Sequence, residues 1–385
     1  MFKNKAIYSH KLSCFCLIIM SIYFVIAFVD YLIFQYSGNH VYSMFDLYGF
    51  LYFCVDYSNG LVSRGLCGEV TKLLFSNSTN FVVEFITIKS ILIGILYSSI
   101  IGFGIWCYIK RKDTIVFALS FICIRPLYLL SKIYTIRPDH FWYVCLFIIV
   151  ILLFNDVKLN RNMILVLLLS IIAMLFHHAF IFVFSPLVCL ILYDKKSMKW
   201  FLLYSGIMCI EFLLMTLLFK GDYQYICNHV VKLMHEFGLW DNYGSSVFKS
   251  DIISALDMEY NSSRLLQVVS YPGLLEEYIT KHIPLLGIYV LTGCGSLCFS
   301  WNIISNYARN GRSINFITMI IFLPFLMLLI FTVDCDRWFL MILTSLNIFS
   351  MYLLLKNKVT IDINFKWYCF FVISILFQIV VYMLF

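Results

Sequence analysis

Four short segments of this sequence hold residue types that, at their spacing, suit phosphate binding and proton transfer. The first, NGLVSRGLCGE, sets Arg64 among Gly60, Gly65 and Gly68, with Asp56 and Asn59 just upstream. A guanidinium fork beside amides left open by glycine can clamp a phosphate through two hydrogen bonds. Equally, Arg64 could pair with Asp56 or Glu69 and simply hold the segment down. The second, YTIRPDHFWY, packs Arg137, Asp139 and His140 at a helix start. Asp139 alone would serve as a cap; the arginine and histidine go beyond what a cap needs and suit a second phosphate ligand with an acid or base beside it. The third, FHHAF, places His177 and His178 in an otherwise apolar stretch. Imidazole titrates near neutrality and can move a proton to or from a hydroxyl, although a histidine in such a setting is often a satisfied core residue. The fourth, TVDCDRWF, puts Asp334, Asp336 and Arg337 between two apolar runs. One aspartate as base with Arg337 on a diphosphate is the chemical reading. An interfacial Asp–Arg pair with Trp338 as a membrane-surface anchor is the bland one. No HExxH or CxxC spacing occurs, so no metal site and no soluble cofactor are expected.

These side chains need elements to hold them, and composition says what kind. The chain of 385 residues is 62% hydrophobic and only 13% charged, with a mean hydropathy of +0.90. A soluble domain carries about 25% charged residues, so this chain needs lipid as its solvent. The 14 cysteines lie mostly inside apolar runs, where they act as small hydrophobes rather than as a disulfide frame. The net charge of +7 is spread over short loops, which is a membrane-orientation signature and not a nucleic-acid surface.

A spanning helix takes about 20 apolar residues. Such runs lie near 12–35, 86–109, 114–131, 138–154, 163–177, 178–193, 200–219, 284–304, 314–333, 337–355 and 366–385. The expectation is therefore an all-α, polytopic integral membrane protein of about eleven transmembrane helices, a single domain over 1–385. An amphipathic outer segment covers 36–85 and one long extracytoplasmic loop covers 220–283. Lys3, Lys5 and Lys11 precede the first run, which reads as a retained signal anchor. With those three lysines, the clusters Lys110–Lys112, Lys158 with Arg161, Lys195–Lys199, Arg309 with Arg312, and Lys356–Lys366 hold 16 of the 28 basic residues. They put the N-terminus in the cytoplasm. This topology needs a hairpin at His177-His178; one long helix kinked at Ser185-Pro186 would invert everything downstream. With the hairpin, all four chemical segments fall on the outer side, as do all eight histidines except His10. Ionisable groups at membrane depth usually face a cavity and pair or act.

The profile resembles the bacterial O-antigen and capsule repeat-unit polymerases of the Wzy type, and related GT-C-like membrane proteins of polysaccharide clusters. The likeness rests on the span pattern, the long outer loop, and the segments NGLVSRGLCGE and DCDRW. An Arg, about ten residues, then Gly occurs in several such polymerases. Here Arg264 and Gly273 are eight residues apart in between, a departure that keeps Arg264 out of the site. The resemblance implies glycosyl transfer at the periplasmic face of the inner membrane. A chain on undecaprenyl diphosphate would be moved onto another lipid-linked repeat. Arg64, Arg137 and Arg337, with Asp334 and Asn59, would bind the donor; Asp336, Asp139, His178, His177 or Asp56 would take the acceptor's proton. The implied partners are the undecaprenyl-diphosphate-linked oligosaccharide, the bilayer, and a chain-length regulator and flippase of the same pathway, with no nucleic acid. Rival readings are a GT-C glycosyltransferase whose first outer loop supplies Asp46 or Asp56, a flippase or transporter, and an O-acyltransferase using His177 or His178. A transporter would line its spans with charge from both sides, whereas the spans here hold few charges, such as Asp30, Glu84, Lys89, Arg125 and Glu211, and the polar cluster is one-sided.

Overall fold

The computed structural model describes residues 55–57, 65–75, 81–110, 139–155, 159–215, 223–236, 283–309 and 335–359, with scattered positions elsewhere. The chain is all-α, with no strand among the described residues. The helices are α1 (Gly65–Phe75), α2 (Phe81–Lys110), α3 (Asp139–Phe154), α4 (Leu159–Phe176), α5 (Phe180–Val183), α6 (Ser185–Asp194), α7 (Met198–Leu213), α8 (Tyr223–Glu236), α9 (Ile283–Arg309) and α10 (Cys335–Leu355). Several match expected apolar runs to within a few residues. The run expected at 200–219 is helical only to Leu213 as an α-helix. The runs at 114–131 and 366–385 lie outside the described residues, and those at 12–35 and 314–333 mostly do. Two segments, Ser90–Lys110 and Leu159–Phe176, are long and apolar enough to cross a membrane, with mean hydropathies of 1.9 and 2.0. Their outward faces are apolar as well: Ile91, Ile95, Ile105 and Ile109 on α2, and Ile164, Leu165, Leu168 and Ile172 on α4, are exposed.

Packing runs in order through the bundle. α2 lies on α3, α3 on α4, α4 on α7, α7 on α6, α6 on α10, and α10 most extensively on α9. Two interior motifs explain the turns. α4 stops where the His177 N–H still bonds the Ala173 carbonyl but the chain then folds over on itself, with Phe180 N–H bonding the His177 carbonyl. Six residues on, Pro186 sits in the first turn of α6, where its missing donor costs nothing, so the helix breaks at Phe184 instead of running through. The segment thus contains both the expected reversal and the alternative kink. The reversal decides the direction. Trp200, in the first turn of α7, which follows α6 after a three-residue turn, donates Nε1–H to Asn160 Oδ1 at the start of α4, at 2.7 Å. Tyr204 Oη meets Ser170 Oγ on α4 at 3.1 Å and Ser185 Oγ on α6 at 3.2 Å. The end of α6 has come back to the start of α4.

The bundle accordingly has two distinct ends. At one, Trp142 near the start of α3 donates Nε1–H to the Ala173 carbonyl at 2.8 Å and lies 6.0 Å, ring to ring, from Trp338 near the start of α10. At the other, Asp194 at the end of α6 is buried and takes hydroxyl hydrogen bonds from Tyr307 of α9 at 2.5 Å and Tyr352 of α10 at 2.6 Å. Lys358 Nζ lies 3.7 Å away. Both α6 and α10 close there with the same left-handed turn. Lys196 (φ 55°) and Asn357 (φ 53°) adopt it, and Ser197 N–H bonds Leu192 O as Lys358 N–H bonds Leu353 O. This is the Schellman arrangement that satisfies the last carbonyls of a helix. Between the ends, Asn347 on α10 accepts hydrogen bonds from Ser296 and Ser300 of α9 at 2.8 and 2.6 Å, which pins two otherwise apolar helices in register.

Candidate functional site

The Trp142 end is built around His177. Its imidazole is buried and packs edge-on against Trp142 at 5.4 Å and Trp338 at 5.8 Å. Nδ1 accepts the Ala179 N–H at 3.2 Å, so in the neutral ring the proton sits on Nε2. That arrangement makes His177 a brace for the turn and a donor through Nε2. The neighbouring His178 is half-buried, 5.0 Å from the His177 ring and 5.9 Å from Phe212 at the far end of α7. Three elements therefore converge here: the start of α3, the 177–179 turn, and the start of α10.

The Asp56 segment is a second polar knot. Residues 55–57 are laid against α1 by a close backbone approach: a Cβ at Gly68 would sit 2.1 Å from the Val55 carbonyl oxygen. A Cβ at Gly65 would sit 2.3 Å from the Tyr57 ring. These glycines open room for their own chain, and no phosphate is needed to explain them. Glu69 Oε1 accepts the Tyr57 N–H at 2.9 Å. The buried Asp56 carboxylate lies 3.6 Å from Lys72 Nζ on α1 and 3.8 Å from His229 Nε2 on α8. Burial, with Cys67 and Glu69 beside it, holds the Tyr57 phenol well above its usual range, opposed by the nearby Leu66 amide. The bland expectation had Arg64 pairing with Asp56 or Glu69; the partners that the structure describes for them are Lys72, His229 and the Tyr57 amide.

Of the residues singled out in the sequence, His177 and His178 lie together at the Trp142 end. Asp139 opens α3 and Asp336 and Arg337 lie in the first turn of α10, so their backbones start from the same end, while their side chains lie outside the described set. Arg64, Asn59, Arg137 and Asp334 lie outside the described residues. Asp56 sits in the knot with Lys72 and His229. His229 belongs to a helix that the loop reading of 220–283 did not anticipate. Its signal was present, since Cys227, Val230 and Met234 are buried at helical spacing. Lys72 and Asp194 were also passed over: a lysine ending an amphipathic stretch and an aspartate beside a lysine run both read as solvated charge. Among the described residues, no group of three or more His, Cys, Asp or Glu side chains could hold a metal ion. Comparison with protein-family models, with curated proteins and with solved structures found no match.

Proposed function

We propose that this protein is an inner-membrane polymerase of lipid-linked oligosaccharide repeat units, working at the periplasmic face with its N-terminus in the cytoplasm. About eleven helices would span the bilayer, and the Trp142 end would face the periplasm. Exposed isoleucine and leucine on α2, α4 and α7 support a lipid surround, because so much apolar area is unfavourable against water. The observation that carries the reading is the convergence of the 177–179 turn with the starts of α3 and α10. Those starts bear, in sequence, Arg137, Asp139 and His140, and Asp334, Asp336 and Arg337. In the proposed reaction the acceptor hydroxyl attacks the anomeric carbon of the donor saccharide. The bond from that carbon to the diphosphate oxygen breaks, and the lipid diphosphate leaves with the electron pair. Arg64, Arg137 and Arg337 neutralise its charge. Asp336, Asp139 or His178 takes the acceptor's proton; His177, with Nδ1 engaged, orients through Nε2. No soluble cofactor enters, since the leaving diphosphate supplies the driving force. The substrate is an undecaprenyl-diphosphate-linked oligosaccharide, and a chain-length regulator and flippase of the same pathway are the proposed partners.

Deleting the gene and resolving the surface polysaccharide by electrophoresis tests this. A polymerase predicts core plus one repeat unit in place of a ladder; an unchanged ladder rules it out. A second reading, a GT-C glycosyltransferase with a polyprenyl-phosphate sugar donor, draws on one observation: a buried carboxylate, Asp56, held between Lys72 and His229 in the first outer segment. It predicts the loss of a single sugar from every band, with the ladder retained.

A further inference from the structure

α4 and α7 start together at the Asp194 end of the bundle and run in the same direction, packed on each other. The Trp200–Asn160 hydrogen bond at 2.7 Å ties their first turns, and Tyr204 meets Ser170 further along. Each helix carries an outward apolar stripe. Ile164, Leu168 and Ile172 are exposed on α4, and Leu202, Ile210 and Leu213 on α7, at spacings that hold one face of a helix. At the foot of each stripe stands a cation. Lys199 is exposed, and its Nζ lies 6.0 Å from the centre of the Trp200 ring. Arg161, the residue after Asn160, is exposed as well. Lys72, Lys232 and Lys358 each stand within ion-pair distance of a carboxylate, whereas neither Lys199 nor Arg161 makes an ion pair among the described residues. Between the two cations the Trp200 indole is half-buried with its N–H engaged, the arrangement suited to the boundary between hydrocarbon and headgroups.

We propose that the paired starts of α4 and α7 bind an anionic phospholipid, with its phosphate on Lys199 and Arg161 and its acyl chains along the two stripes. The inference rests on the membrane-spanning part of the reading above and not on the polymerase chemistry. The two halves of the surface select this occupant together. Lysine meets a phosphate as a point charge and arginine meets it through its fork. A soluble phosphate would engage the cations and leave the stripes bare. A zwitterionic lipid would cover the stripes but bring a positive group of its own to two unneutralised cations. A lipid with net negative charge satisfies both, as basic side chains beside spanning helices do at an anionic leaflet.

The test separates a built site from the general positive charge of this end. Lys110 supplies the comparison. It ends α2 and is exposed, and it belongs to the same end, because Trp106 of α2 packs on Phe154 at 5.3 Å and Phe154 on Tyr352 at 5.2 Å. Phosphatidylglycerol added to the detergent-purified full chain should raise its thermal midpoint more than phosphatidylcholine does, because a ligand of the folded state stabilises it. The difference should shrink as salt is raised. Arg161→Gln combined with Lys199→Gln should keep the wild-type midpoint without added lipid, since both side chains are exposed, and lose the preference for phosphatidylglycerol. Native mass spectrometry should show less retained phosphatidylglycerol on that variant than on the wild type. Lys110→Gln should respond as the wild type does. An equal response to the two lipids overturns the proposal, as does a preference that survives in the double variant. A loss in Lys110→Gln as large as in the double variant reduces the effect to diffuse charge, and a rise with glycerol phosphate alone reduces it to an anion site; either overturns it too. All of these leave the polymerase reading standing. Recovery of the chain in the soluble fraction without detergent overturns both.

Discussion

At the residue scale, the two histidines of the FHHAF segment part company. His177 has Nδ1 committed to the Ala179 amide and its ring packed edge-on against two indoles, so its substitution acts first on the turn. His177→Ala removes a ring from a filled core and orphans an N–H; a stability loss of about 3 kcal/mol is expected, read as a lower thermal midpoint. His178→Ala should leave the midpoint within about 1 kcal/mol and shorten the polysaccharide ladder. Gly68 makes a sharper case. Its missing Cβ is the reason residues 55–57 can lie on α1, and the obstruction is backbone, which cannot rotate away. Gly68→Ala should cost about 3 kcal/mol and release Asp56 from Lys72 and His229, so that folded yield falls. Arg337→Ala and Arg64→Ala should each abolish the ladder with protein levels intact; wild-type ladders in both would empty the diphosphate assignment.

At the scale of elements, the proposed orientation turns on the reversal at 177–179. His178 and the Lys196 turn are at opposite ends of α5–α6. With single cysteines placed in a background freed of the native ones, His178→Cys should react with a membrane-impermeant thiol reagent added outside intact cells. Ser197→Cys should react only after the membrane is permeabilised. Labelling of both from outside would overturn the proposed orientation. The Lys196 turn also holds a non-glycine residue in left-handed backbone. Lys196→Gly should stabilise the chain by up to about 1 kcal/mol, and the same change at Asn357 by less, because asparagine tolerates that conformation.

At the scale of the whole molecule, Asp194 ties together α6, α9 and α10, three helices far apart in sequence. Its carboxylate satisfies two tyrosine hydroxyls, so Asp194→Ala would leave both buried without an acceptor. A loss of about 3–5 kcal/mol is expected, seen as a lower thermal midpoint. Lys358 is partly exposed at 3.7 Å, and Lys358→Gln should cost less than about 1 kcal/mol. The clasp lies at the end opposite the candidate site, so Tyr352→Phe should lower stability while leaving ladder length unchanged. The carboxylate at the Tyr307 end is engaged by two tyrosine hydroxyls and holds helices together.

The sequence by itself determined that the chain is helical and where several helices begin and end, because runs of leucine, isoleucine and phenylalanine about 20 residues long leave no other way to satisfy the backbone away from water. It also singled out the histidine turn, since two imidazoles in an apolar run have no compositional excuse. What it could not yield was pairing. Asp56 reads equally well beside Arg64 or Lys72, Asp194 reads as one more charge in a lysine-rich loop, and Glu211 as a stray carboxyl in a span. Only the tertiary structure decided that the first meets Lys72 and His229, that the second is sealed under two tyrosines more than a hundred residues away, and that the third has no hydrogen-bond partner among the described residues. Helical periodicity is local and survives in sequence, whereas the partner of a buried charge is chosen by the packing of distant helices.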